Sequence, residues 1–109
     1  MYYKEERPWG KFEQFSHNEK STVKIITAKD NAKLSLQSHK NRDEAWVVLD
    51  GNIKIVLDNK TYETKPGDRF EIKRGQKHRL IGPGRVLEIS YGDFDENDII
   101  RYEDDFGRS

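Results

Sequence analysis

Short runs of alternating polar and apolar residues recur along the chain, each closed by a turn signal. That period of two marks strands with one buried face. Val23-Lys24-Ile25-Ile26-Thr27 reads as such a strand, ended by Lys29-Asp30-Asn31. Residues 33–39 and 44–49 form the next two, the second stopped by Asp50-Gly51-Asn52. Asp-Gly favours a hairpin, because both residues tolerate positive φ. Ile53 to Leu57 pairs back, Asp58-Asn59 turns, and Lys60 to Thr64 follows. Pro66-Gly67-Asp68 precedes Arg69 to Ile72, and Arg74-Gly75-Gln76 leads into His78 to Ile81. Gly82-Pro83-Gly84 then separates that strand from Arg85 to Tyr91. Nothing carries a helical period beyond one turn at residues 95–100, where Asp95 can cap. The pattern predicts an all-β barrel or sandwich, with the two chain ends as arms packed against it.

Alternation also assigns faces. Ser35, Gln37 and His39 share one face, and Leu34 and Leu36 the other. Glu44, Trp46 and Val48 form the inward set of the next strand, and His78 with Leu80 that of a later one. In the last strand Val86, Glu88 and Ser90 alternate against Leu87, Ile89 and Tyr91. If the polar set lines a cavity, Leu34, Leu36, Val47 and Leu49 all point outward as an apolar patch that needs cover. The N-terminal arm or a second copy can supply it. A homodimer is the expectation, since a twofold pair is the commonest closed assembly.

The chain of 109 residues is the length of one domain, read as 1–109. Only 33% of it is hydrophobic and 37% is charged, which would suggest disorder if evenly spread. The apolar residues are instead concentrated in the strand runs. Lys plus Arg balances Asp plus Glu at 20 each, so no electrostatic case exists for nucleic acid or an anionic membrane. Without cysteine, disulfides and thiolate metal sites are excluded. Met1-Tyr2-Tyr3-Lys4-Glu5-Glu6 lacks the apolar centre of a signal peptide, and no run approaches the roughly 18 apolar residues of a membrane span. A cytoplasmic protein is expected.

The candidate chemistry lies in two blocks, Gln37-x-His39-x4-Glu44-x6-Gly51 and Gly67-x5-Lys73-x-Gly75-x2-His78. Two imidazoles, a carboxylate and an amide oxygen suit one divalent metal, zinc first, with Mn, Fe, Co or Ni also acceptable. Gln37 and His39 share a strand face; Glu44 follows after a short polar break, and the fold must deliver His78. His17 fits neither block. Arg42 and Lys73 are candidates for a phosphate, because guanidinium and ammonium groups match it. Glu88, a carboxylate among apolar residues, needs either a basic partner or a role in the cavity as acid or base. Alternation turns Arg79 away from His78, which gives it a structural role.

These blocks resemble the two motifs of the cupin superfamily, roughly G-x5-H-x-H-x3,4-E-x6-G and G-x5-P-x-G-x2-H-x3-N. Gln37 stands for the first histidine, Lys73 for the proline and Gly82 for the asparagine. Leu34-Ser35-Leu36-Gln37-Ser38-His39, followed by Arg42-x-Glu44-x-Trp46-Val47-Val48, resembles the cupin domain of type II phosphomannose isomerases. That domain is often fused to a mannose-1-phosphate guanylyltransferase. Arg7-Pro8-Trp9-Gly10 matches its opening, His78-Arg79-Leu80 its second metal block, and the stretch from Asp98 to Arg108 its tail. The resemblance implies a single cupin jelly-roll barrel, with metal motif 1 at about 32–51 and motif 2 at about 67–82. It also implies a metal-dependent conversion of mannose 6-phosphate to fructose 6-phosphate. Gln37, His39, Glu44 and His78 would hold the metal, Arg42 and Lys73 the substrate, and Glu88 with Arg42 would be catalytic; a glutamate also stands at the Glu88 position in that family. The fused enzymes carry histidines where this chain has Asn41 and Ala45. A non-catalytic cupin that binds a sugar phosphate or nucleotide sugar is therefore the alternative. A cupin oxygenase or deoxysugar epimerase ranks below both, since no His–Asp pair with tyrosine is evident.

Overall fold

The computed structural model describes residues 2–104. The end of the expected tail motif, Asp105 to Arg108, lies outside the described residues. The strands are β1 (Tyr3–Arg7), β2 (Gly10–Gln14), β3 (Ser21–Ala28), β4 (Leu36–Ser38), β5 (Glu44–Gly51) and β6 (Lys54–Leu57). They continue with β7 (Lys60–Glu63), β8 (Arg69–Ile72), β9 (His78–Ile81), β10 (Gly84–Tyr91) and β11 (Ile100–Glu103). A four-stranded sheet runs in the order β3-β10-β5-β8 and a five-stranded one in the order β11-β4-β9-β6-β7. Every pairing is antiparallel, and β1 and β2 form a separate hairpin. The all-β expectation holds.

One apolar cluster joins the two sheets. Trp46, Val48, Ile72 and Val86 from the first pack with Ile53, Ile55 and Leu80 from the second side, all nearly or fully buried. Register explains which residues face in. Val86 lies opposite Val48, Glu88 opposite Trp46 and Ser90 opposite Glu44, so the inward sets of β5 and β10 form continuous rows. These are the sets that alternation assigns.

Alternation fails between residues 33 and 39. Only Leu36–Ser38 is regular strand, with an isolated bridge from Lys33 to Ile81. Leu34 donates its N–H to the Leu80 carbonyl, and its own carbonyl accepts from Arg79 Nε at 2.8 Å. This irregular backbone turns Leu34 toward the core cluster. The expected outward placement of Leu34 is thus corrected, because backbone hydrogen bonds to β9 override the period of two. Arg79 has the structural role expected, and it also reaches Glu103 at 3.3 Å. At residues 95–100 a single turn forms: the Asp95 carboxylate accepts from Asn97 N–H at 2.9 Å, but no helix follows.

The first and last elements among the described residues are strands rather than plain arms. On the N-terminal side, Tyr91 Oη donates to the Phe15 carbonyl at 2.7 Å and the Arg69 guanidinium stacks on Tyr2. Ala45 and Ile89, on the outward face of β5 and β10, are only 3% exposed. At the other end β11 extends the second sheet beside β4, and the Tyr102 and Ser38 hydroxyls bond at 2.9 Å.

Glycines allow the close approaches at the sheet ends. Gly51 has φ +84, and a Cβ there would lie 2.5 Å from the Pro83 carbonyl oxygen. At Gly82 a Cβ would lie 2.1 Å from the Lys29 carbonyl oxygen. Gly82→Ala is therefore expected to lower stability by about 1–3 kcal/mol, the usual cost of overpacking where backbone must move. Urea denaturation measures it, and an unchanged midpoint would show that the Lys29 turn gives way freely.

Candidate metal centre

Three side chains from separate parts of the fold converge between the sheets. Glu44 opens β5, His78 opens β9, and His39 follows β4. Glu44 Oε2 lies 3.9 Å from His39 Nε2, and Glu44 Oε1 lies 3.8 Å from His78 Nε2. Ligand atoms of the three all fall within 4.8 Å of one another, and all three residues are buried. Both imidazoles are held from behind. His39 Nδ1 sits 2.7 Å from the Asp98 carbonyl and His78 Nδ1 sits 2.9 Å from the Gln76 carbonyl. A carbonyl only accepts, so each Nδ1 carries the proton and each Nε2 aims a lone pair inward. Burial also pushes the His78 pKa below its usual value, against the pull of the Gln76 carbonyl, which keeps it in the neutral form that binds metal.

The donor set fits a divalent ion. Glu44 Oε1 and His78 Nε2 are buried without a hydrogen-bond partner. Leaving such atoms unsatisfied costs about 1–3 kcal/mol each, and a cation between them removes that cost. Two imidazoles and a carboxylate suit zinc and its neighbours in the first transition row. Gln37 pairs directly with His78 across β4 and β9, which puts its side chain on the same face of the sheet.

Arg42 is not on an open rim. Its side chain is 6% exposed, donates from Nε to Glu44 Oε2 at 2.8 Å and from Nη1 to the Asp95 carbonyl at 3.1 Å, and stacks on Phe94. Its Nη2 lies 3.3 Å from His39 Nε2. A buried carboxylate draws the nearest guanidinium inward, since neither charge is tolerated alone. Glu44 Oε2 also accepts from Ser90 Oγ at 2.9 Å.

Glu88 shares the inward face of β10 with Ser90. Trp46 Nε1 donates to its Oε2 at 3.2 Å. Burial, reinforced by the charge of Glu44, raises its pKa from 4.5 to about 7, with the Trp46 bond opposing. Lys73 is exposed on the turn after β8 and, with Arg74, lines a cavity of about 830 Å³ that opens onto Glu44. Glu19, Asp43, Glu71, Asp93 and Asp95 also line it, so the mouth is more acidic than the sequence suggests.

Sequence reasoning missed Asp98. Its carboxylate accepts from the N–H groups of Lys40 at 2.8 Å and Asn41 at 2.9 Å, while its carbonyl holds His39. Partial burial raises its pKa, but those two N–H groups outweigh it and hold the carboxyl below its ordinary range. The only available signal was its place in the tail motif, which carries no chemical meaning until the tail is packed on the 39–42 loop.

The family profile described as mannose-6-phosphate isomerase C-terminal matches residues 1–104. The chain belongs to that family. The alginate biosynthesis protein AlgA of Pseudomonas aeruginosa is 36% identical over 94% of this chain. Mannose-1-phosphate guanylyltransferase 2 of Escherichia coli O157:H7 is 38% identical over 90% of it. The chain spans about a fifth of these relatives, 22% and 21% of their lengths. Among solved structures, the Streptomyces nucleoside dehydratase Pac13 superposes with TM-score 0.71 at 11% identity, covering 82% of this domain and 73% of that chain. A cupin from Bacteroides fragilis gives TM-score 0.61 at 23% identity, over 69% of this domain and 70% of that chain. At such identities the likeness shows the cupin fold alone.

Removing the clamp behind His39 should weaken metal binding without removing a ligand. Asp98→Ala keeps the carbonyl behind His39 but releases the Lys40 and Asn41 N–H groups, and is expected to lower Co²⁺ affinity roughly 10-fold, the low end for groups supporting a metal ligand, with partial recovery in Asp98→Asn. Calorimetric titration reads it, and equal affinity in all three proteins would mean that the loop holds His39 unaided. His39→Ala and His78→Ala should each abolish stoichiometric metal by elemental analysis.

Proposed function

We propose that this domain is a metal-dependent aldose–ketose isomerase that interconverts mannose 6-phosphate and fructose 6-phosphate. The observation that carries the proposal is Glu88, a buried carboxyl poised at about 7 on the same inward sheet face as Glu44 of the His39–Glu44–His78 group. Isomerisation takes a proton from C2 of the sugar and returns one at C1. A carrier must therefore lose and regain a proton near neutral pH, and a carboxyl shifted by burial does both. In this reading His39, Glu44 and His78, with the Gln37 amide as fourth ligand, hold one divalent ion, zinc first. When bound, that ion supplies polarisation of the two adjacent sugar oxygens.

Arg42, beside Glu44 at 2.8 Å, acts at the sugar end rather than on the phosphate. Lys73, joined by Arg74, takes the phosphate at the mouth. The Ala45 departure leaves the site unaffected, because Ala45 faces outward between Ile89 and Glu71 while Glu44 faces in. Asn41 does line the cavity, where the resemblance places a histidine. That residue favours the second reading, a non-catalytic domain that binds a sugar phosphate or nucleotide sugar.

A coupled assay for fructose 6-phosphate, with protein loaded in turn with Zn²⁺, Mn²⁺, Co²⁺ and Ni²⁺, decides between them. Binding without conversion under every metal would remove the isomerase. Glu88→Gln should keep metal content and fold while turnover falls by roughly 10²-fold or more, as for other positioned acid–base groups.

Glu88 also makes a stability prediction for the metal-free protein. Its folded pKa is about 7 against an ordinary 4.5, so between those values the folded chain holds a proton that the unfolded chain has released. Stability then falls as pH rises through that window, and the penalty is complete above it. In Glu88→Gln that part of the slope should vanish; urea unfolding at several pH values measures both.

We further expect the domain to pair with a second copy. Val23 and Ile25 are 58% and 56% exposed on the outward face of β3, next to half-buried Leu87. Sedimentation of a dimer at micromolar concentration supports pairing, and a monomer refutes it.

A further inference from the structure

We infer that Arg42 is a built-in competitor for the metal position, holding His39 Nε2 until an ion displaces one of its N–H groups. This rests on the reading that His39, Glu44 and His78 bind metal. Neutral imidazole has a single lone pair on its unprotonated nitrogen. At His39 that lone pair is on Nε2, because Nδ1 donates to the Asp98 carbonyl. Arg42 Nη2, 3.3 Å away, is directed at the same nitrogen that a metal ligand must offer. One lone pair cannot serve both.

The rest of the site is divided between the two cations. Glu44 Oε2 already accepts from Arg42 Nε and from Ser90 Oγ. Glu44 Oε1 and His78 Nε2 have no partner. An ion can therefore enter along the Oε1–His78 edge without touching the Arg42 Nε bond. Among the described residues, the contact it must break is Nη2 to His39. Arg42 stays tethered through Nε, through Nη1 on the Asp95 carbonyl and through its stacking on Phe94. The displaced Nη2–H is then left beside the ion, where it can donate to an oxygen of the bound sugar. Metal loading both opens His39 and arms a hydrogen-bond donor.

Two measurements test this without any activity assay. Co²⁺ titration compares wild type with Arg42→Gln and Arg42→Lys. Loss of a competing charged hydrogen bond should tighten Co²⁺ binding roughly tenfold or more in Arg42→Gln, with Arg42→Lys between it and wild type. Arginine-selective ¹⁵N NMR of the wild type follows the guanidinium as Zn²⁺ is added, and so holds even if Arg42→Gln folds poorly. The Arg42 Nη signals should shift while the Nε signal keeps its place. Equal or weaker Co²⁺ binding by a folded Arg42→Gln would overturn the inference and leave the metal site standing. So would unmoved Nη signals in protein that takes up Zn²⁺. If neither wild type nor Arg42→Gln binds metal, the metal reading falls and the inference falls with it.

Discussion

Glu44 is the residue on which the rest of the arrangement turns. A carboxylate at 2% exposure is costly unless charges and donors surround it, and every functional neighbour can be read as a response to that cost. Arg42 and Ser90 satisfy one oxygen; two histidines stand within 4 Å of the carboxylate with lone pairs turned inward. Burial, and then the negative charge of Glu44, raise the pKa of Glu88, a second carboxyl on the same inward face. Burial, ion pairing and proton affinity are thus one electrostatic problem solved by neighbouring residues.

The fold supplies rigidity where that problem is tightest. Glu44 and His78 begin strands whose inward rows continue into the apolar core, so the Trp46 and His78 rings pack nearly perpendicular with centroids 5.4 Å apart. His39 and Arg42 lie on a loop, and loops position side chains less well than sheets. Here the C-terminal segment compensates. Asp95 and Asp98 bind Arg42, His39 and the backbone at Lys40 and Asn41, turning the loop into a clamped element. The geometry of the candidate metal centre therefore depends on a segment that looks like a polar tail.

Membership of the mannose-6-phosphate isomerase C-terminal family narrows the chemistry without completing it, because the relatives are some four to five times longer than this chain. What this domain brings together by itself is the buried His39–Glu44–His78 group, a buried glutamate with a raised pKa, and a cavity lined by two cations among many carboxylates. That balance suits a ligand whose charge is met at one side only.

Much was legible in the sequence. Strand positions from Glu44 to Tyr91 followed from strict alternation between turn residues, since a sheet with one buried face must repeat every two positions. The spacing of His39, Glu44 and His78, with glycines at fixed offsets, named the candidate ligands, because ligand types and turn residues are local properties. The placement of Leu34, Arg42 and Asp98 was not legible. Leu34 turns inward through hydrogen bonds to β9, Arg42 is drawn in by a carboxylate two residues away, and Asp98 acquires meaning only when the tail docks on the loop. The sequence alone determined which groups were available and the period of the strands. Tertiary structure decided which groups meet, because hydrogen bonds and buried charges between distant segments outweigh local preference wherever the chain is irregular.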